Sequence, residues 1–135
     1  MSKNLFFIDD DSIFLRLITR ACKKIEAIES YETAGDGEEA LEKLKHWLLK
    51  ERALPDIFLV DINMLKINGF EFLDQVKILK KQHKPLQNGV SFFMLTSSLH
   101  DSDREKAYET GIINGFLQKP FGKDGFESLL KNLVE

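Results

Sequence analysis

Five polar side chains stand where short apolar runs stop. Asp9 and Asp10 follow Leu5-Phe6-Phe7-Ile8. Asp61 closes Ile57-Phe58-Leu59-Val60, a run led by Pro55. Thr96 ends Val90-Ser91-Phe92-Phe93-Met94-Leu95, and Lys119 follows Gly115-Phe116-Leu117-Gln118. Short apolar runs of this kind read as buried strands of a parallel sheet. Their carboxyl ends then share one edge, where open α/β folds place ligands and chemistry. Three carboxylates at such an edge repel one another unless a cation neutralises them. An oxygen-only donor set favours a hard divalent ion, and Mg²⁺ suits a site that also handles phosphate. A hydroxyl and an ammonium beside them fit a phosphoryl group: the cations neutralise its oxygens while Thr96 donates a hydrogen bond. A carboxylate can itself be the nucleophile, forming an aspartyl-phosphate.

The segments between the runs must be what positions these groups. After Asp9-Asp10-Asp11, the residues Ile13, Phe14, Leu17, Ile18, Ala21 and Ile25 recur at helical spacing, with Asp11 or Ser12 as N-cap. Ala27 to Thr33 reads as a weaker strand. Asp36, in the turn Gly35-Asp36-Gly37, caps a helix striped by Ala40, Leu41, Leu44, Trp47 and Leu48. A third helix runs from the Asn68-Gly69 break to about Lys81, and Gln82 to Gly89 reads as a long loop. A fourth helix, from about Ser102 to Thr110, has a thin apolar face of Ala107 and Tyr108. Ile112 to Leu117 is the last strand, and the final helix carries Phe126, Leu129, Leu130, Leu133 and Val134. Five strands alternating with five helices predict a parallel sheet covered on both faces, a three-layer α/β/α sandwich.

Composition narrows the function classes. The 135 residues, 43% of them apolar, predict one domain over 1–135 with its own core and no attached output domain. Cys22, alone and near the buried stripe of the first helix, excludes an internal disulfide framework and fits a reducing compartment. A net charge of -3 offers no basic footprint for nucleic acid. No apolar run is long enough for a signal peptide or membrane span, so a cytoplasmic location is expected. His46, His83 and His100 lie on polar stretches and read as solvated.

Together, Phe7-Ile8-Asp9-Asp10-Asp11, Pro55-Asp56-Ile57-Phe58-Leu59-Val60-Asp61-Ile62-Asn63-Met64, Asn68-Gly69, Leu95-Thr96-Ser97 and Gly115-Phe116-Leu117-Gln118-Lys119-Pro120-Phe121 resemble the receiver domain of two-component response regulators over nearly the whole chain. Each piece alone is a weak signal; five in the right order are specific. The resemblance implies a flavodoxin-like sheet of order 2-1-3-4-5. It implies that Asp61 accepts a phosphoryl group from a sensor histidine kinase or histidine phosphotransfer protein. Asp9, Asp10, Asp61 and the main-chain carbonyl of Asn63 would hold Mg²⁺, and Thr96 and Lys119 would contact the phosphoryl oxygens. It implies a cis Lys119-Pro120 bond. Thr96 and Phe116 would act as a switch that reshapes the face of helix 4, strand 5 and helix 5 for a downstream protein. The expected role is a phosphorylation-controlled binding module with slow self-dephosphorylation, not a turnover enzyme.

Three departures stand out. Leu65 rather than proline follows Met64, Phe116 replaces the commoner tyrosine, and two connections are longer than typical. Other readings exist. Taken singly, the acidic triplet serves as a helix cap, Asp61 as a strand-end turn residue, Thr96 as a cap, Lys119 as a solvated lysine and Phe116 as plain core. A haloacid-dehalogenase-like phosphatase also uses an aspartyl nucleophile after a strand, but it wants a carboxylate where Asn63 stands. An FMN-binding flavodoxin would need a phosphate-cradling loop after the first strand, and none follows. A degenerate receiver that only binds partners would not need the intact set.

Overall fold

The computed structural model describes residues 2–97, 100–120 and 122–134; Ser98, beside one motif, and Phe121, the last residue of another, lie outside them. Strands β1 (Lys3–Ile8), β2 (Ile28–Ala34), β3 (Ile57–Asp61), β4 (Ser91–Thr96) and β5 (Gly115–Gln118) alternate with helices α1 (Ser12–Cys22), α2 (Gly37–Leu49), α3 (Gly69–Gln82), α4 (Asp101–Glu109) and α5 (Gly122–Val134). All four strand pairings are parallel, and the sheet order is β2-β1-β3-β4-β5. The order 2-1-3-4-5 is as the resemblance implied, and the three layers are as the strand–helix alternation predicted.

Strand alternation builds two cores. Phe6, Ile8, Phe58, Val60, Phe92 and Met94 point to one side, against Ala40, Leu44 and Trp47 of α2 and Phe72, Leu73 and Val76 of α3. Aromatic edges fill this layer: the rings of Phe6 and Trp47 lie 5.0 Å apart, and those of Phe58 and Phe92 lie 4.7 Å apart. The odd-numbered residues Leu5, Phe7, Ile57, Leu59 and Leu95 point the other way, against Phe14 and Ile18 of α1 and Phe126 and Leu130 of α5. The central strands are buried on both faces, which is why they read as continuous apolar runs.

Helix starts follow the chemistry of their caps. Asp11 accepts from the amides of Ile13 and Phe14, and Asp36 from that of Glu39. Asn68 and Glu71 form a reciprocal capping box at the start of α3. Two expectations shift. The stretch 82–89 contains a 3₁₀ turn, Lys84–Leu86, because Leu86 is apolar enough to be drawn into the α2–α3 core. The last strand begins at Gly115 rather than Ile112: Asn114 exchanges both main-chain and side-chain hydrogen bonds with Phe92, starting the ladder there, while Ile112 packs into the core. Among the described residues no helix is long and apolar enough to cross a membrane.

Candidate functional site

Strand register gathers the site. Ile8 pairs with Val60, so Asp9 stands one step past the last β1–β3 pair, level with Asp61. Asp61 pairs with Leu95 and Leu95 with Leu117, placing Lys119 two residues beyond that row. Asp9, Asp61 and Lys119 all share the parity of the residues facing α1 and α5, so their side chains leave the sheet on the same side. Main-chain hydrogen bonds continue the alignment past the strands: Ile62 N–H donates to Leu95 O, and Lys119 N–H donates to Thr96 O at 2.7 Å.

The contacts are short and buried. Lys119 Nζ lies 2.7 Å from Asp9 Oδ2 and 3.5 Å from Asp61 Oδ1, with the lysine side chain 17% exposed and that of Asp9 fully buried. Asp9 Oδ1 accepts from the Asp11 amide at 2.9 Å. Asp10 is exposed, and its Oδ2 accepts from the Leu65 amide at 3.2 Å. Burial pushes the Asp61 carboxyl up to about 7, helped by the charges of Asp9 and Asp10 and opposed by that of Lys119. Burial likewise raises Asp9 against the pull of the Lys119 ammonium and the Asp11 amide. Burial works against the Lys119 ammonium too, yet its ion pair with Asp9 and the charge of Asp61 outweigh that and hold it above the ordinary lysine value.

These groups fit a divalent cation. One oxygen from each of Asp9, Asp10 and Asp61 comes within 4.8 Å of the others. Three carboxylates against one ammonium leave two negative charges uncompensated. Among the described residues no well-aligned hydrogen bond reaches the buried Asp9 Oδ2, although Lys119 stands beside it. Hard oxygen donors with surplus charge and an oxygen short of partners match a hard divalent ion.

The other expected residues fall around this centre. Thr96 ends β4 and is buried, in register with Gln118. Asn63 is exposed two residues past Asp61. Phe116 is half-buried on β5, its ring 5.5 Å from that of Tyr108 on α4, with the Arg104 guanidinium 6.0 Å above it. The cis Lys119-Pro120 bond is not found: no cis peptide occurs among the described residues. Trans is the lower-energy isomer of such a bond by about 0.5–1 kcal/mol, and Lys119 reaches Asp9 with it. Cys22 is buried, and burial raises its thiol to about 12.

Two residues of the site were given no role in it by sequence reasoning, although Asn68-Gly69 is one of the motif pieces. Phe14 read only as part of the α1 stripe, yet Lys119 Nζ sits 4.8 Å from its ring centre. Gly69 read as a chain break. Its amide donates to Ile62 O, and a Cβ there would come within 2.5 Å of Asp61 O and 2.7 Å of Met94 Cε. Gly69 is therefore what lets α3 start against the backbone of Asp61. Gly69→Ala should cost about 1–3 kcal/mol in urea unfolding, by overpacking against backbone that cannot yield; a midpoint unchanged from wild type would contradict this.

Comparison with known proteins agrees with the geometry. The chain is 28% identical over 131 residues to a probable methanogenesis regulatory protein of Methanothrix harundinacea, covering 97% of this chain and 79% of that protein. It is 32% identical over 127 residues to the sensor histidine kinase CheAY of Helicobacter pylori, covering 93% of this chain but 14% of the kinase. A two-component response regulator from Cytophaga hutchinsonii superposes with a TM-score of 0.78 at 27% identity, covering 99% of this chain and 98% of that one. The family model for the response regulator receiver domain matches residues 5–131. With the acidic cluster and its lysine at the carboxyl ends of a 2-1-3-4-5 sheet, the chain belongs to the response regulator receiver domain family and is a phosphoacceptor of two-component signalling.

Proposed function

We propose that Asp61 is the phosphoacceptor, that Mg²⁺ is held by Asp9, Asp10, Asp61 and the main-chain carbonyl of Asn63, and that Thr96 and Lys119 contact the phosphoryl oxygens. The observation that carries this is the position of Asp61: it ends the central strand within 3.5 Å of the Lys119 ammonium, among two further carboxylates. When bound, the cation supplies neutralisation of the phosphoryl oxygens and an anchor for their orientation. The ionised Asp61 oxygen attacks phosphorus, the bond from phosphorus to the donor's imidazole nitrogen breaks, and the electron pair leaves with the imidazole. Lys119 is close enough to Asp61 Oδ1 to move onto a phosphoryl oxygen as charge migrates outward. Below about pH 7 the metal-free Asp61 carries its proton, so cation binding and ionisation assist each other.

Receiver domains take phosphoryl groups from histidine kinases, and one relative of this chain is such a kinase. The donor is a histidine kinase or phosphotransfer protein, and the reaction is one slow acceptance and loss rather than turnover of a metabolite. A cytoplasmic location suits such a donor. The phosphatase alternative has no acid/base carboxylate two residues past Asp61, where Asn63 stands. Thr96 and Phe116 form the switch, and the downstream protein binds the α4–β5–α5 face. α4 has one buried residue, Ala107, and contributes little else to the core. Its amides should exchange with deuterium faster than those of the other four helices; protection equal to that of α3 would remove it as the moving element. The acceptor reading is tested by intact mass after incubation with Mg²⁺ and acetyl phosphate. The expected result is a single phosphoryl adduct, absent when EDTA is added; no adduct would overturn the reading.

A further inference from the structure

The Lys119 ammonium is caged on three sides, and one side is a ring. Asp9 Oδ2 lies 2.7 Å away, Asp61 Oδ1 3.5 Å, and the Phe14 ring centre 4.8 Å. Phe14 is 5% exposed. Its backbone is held at the start of α1, where its amide donates to the N-cap Asp11. Its ring packs against Phe126 of α5, with centroids 5.8 Å apart. The ring is thus locked between two helices, with the ammonium over its face.

We propose that Phe14 is a positioning residue for Lys119, its ring face holding the ammonium at the acceptor carboxylate before and during phosphoryl transfer. The physical case rests on directionality. The short ion pair with Asp9 fixes the ammonium in one place. The attraction of a cation for a ring face is broad, so Lys119 can slide from Asp61 Oδ1 toward a phosphoryl oxygen without losing it. A leucine of similar bulk would fill the same space between α1 and α5 but would have no negative face to offer. The inference rests on the assignment of Lys119 to the phosphoryl oxygens, so its test has an arm that needs no phosphodonor.

That arm is a double-mutant cycle on urea unfolding without metal, using Phe14→Leu, Lys119→Met and the double variant. Coupling of about 3- to 10-fold in the unfolding equilibrium constant is expected, and additive single effects would overturn the proposal. The second arm is the rate at which the phosphoryl adduct accumulates from acetyl phosphate and Mg²⁺. Phe14→Leu should slow it about 3- to 10-fold, while Phe14→Tyr, which keeps the ring face, should restore the wild-type rate. Should Lys119→Met fail to fold, the contrast between leucine and tyrosine decides alone: equal rates in the two variants would overturn the proposal. Mn²⁺ affinity measured by calorimetry should change less than about twofold in Phe14→Leu, because a phenyl ring supplies no ligand to the cation. A large loss there would mean a collapsed site and would also overturn it. Failure of the wild type itself to take a phosphoryl group would remove the underlying assignment, and this is visible before any variant is made.

Discussion

Asp61→Asn is expected to fold and to take up no phosphoryl group. The substitution keeps the shape of a side chain that is 6% exposed, but replaces the anionic oxygen that must attack phosphorus with an amide that cannot. The loss should be complete at the level of intact mass, with no adduct after prolonged incubation with Mg²⁺ and acetyl phosphate. Asp9→Asn is the informative companion. Asp9 contributes charge and an oxygen to the cluster but lies behind Lys119, 2.7 Å from its ammonium. Its substitution should weaken cation binding and slow labelling without abolishing it. An adduct of wild-type yield on Asp61→Asn would move the acceptor elsewhere, and Asp9 or Asp10 would be the first places to look.

The second large effect is on stability, and its sign follows from the raised pKa of Asp61. In the folded, metal-free protein this carboxyl titrates at about 7, against an ordinary carboxylate value near 4. Between those values the folded state binds more protons than the unfolded state, so raising the pH favours unfolding. The contribution is fully present below pH ~4 and is lost as pH rises through about 7. Asp9, also raised by burial, acts in the same direction. Asp61 alone should lower the stability of the metal-free protein by about 4 kcal/mol between pH 4 and 8, and Asp9 adds to that in the same direction. Asp61→Asn should be more stable than wild type at pH 8 in EDTA, because it buries no charge. Divalent cation should restore the wild type by about 2.7 kcal/mol at a hundredfold excess over its Kd. Urea midpoints at pH 5 and 8, with EDTA or Mg²⁺, check all of this. A variant less stable than wild type at pH 8 in EDTA would mean that Lys119 compensates the carboxylates more fully than the geometry indicates.

The same site therefore trades stability for reactivity. Three carboxylates converge because parallel register places strand ends side by side, and one lysine cannot neutralise them. What makes the metal-free fold sensitive to pH is also what makes it receptive to a cation and a phosphoryl group. The Asp11 amide on Asp9 and the Leu65 amide on Asp10 keep the oxygens in place while they wait. The Leu65 contact matters here, since the loop lacks the proline usual in the family and takes its position partly from that bond and partly from Lys66, which pairs with Glu38 at 3.5 Å.

How much of this was legible in advance differs by residue. Asp9, Asp61, Thr96 and Lys119 were readable because each ends a short apolar run, and a strand buried on both faces advertises itself by local composition. The five-strand alternation and the caps at Asp11 and Asp36 are local in the same sense. The start of β5 was not readable, because Ile112 and Ile113 are as apolar as any strand residue and only Asn114, bonding to Phe92 twenty-two positions back, decides where pairing begins. The Lys119-Pro120 isomer belongs with it, since sequence permits both forms and the observed bond is trans.

What the sequence by itself determined is the chemistry available: three carboxylates, a hydroxyl and a lysine, each at a strand end of one parallel sheet. What only the tertiary structure decided is how these groups meet. It put Asp9 rather than Asp61 in the closest contact with Lys119, buried Asp61 enough to raise it to about 7, set Gly69 against its carbonyl and stood Phe14 under the ammonium. The reason is one of range. A strand and its end are written in adjacent residues, whereas burial, ion-pair distances and ring contacts arise between residues as far apart as Asp9 and Lys119, which only packing brings together.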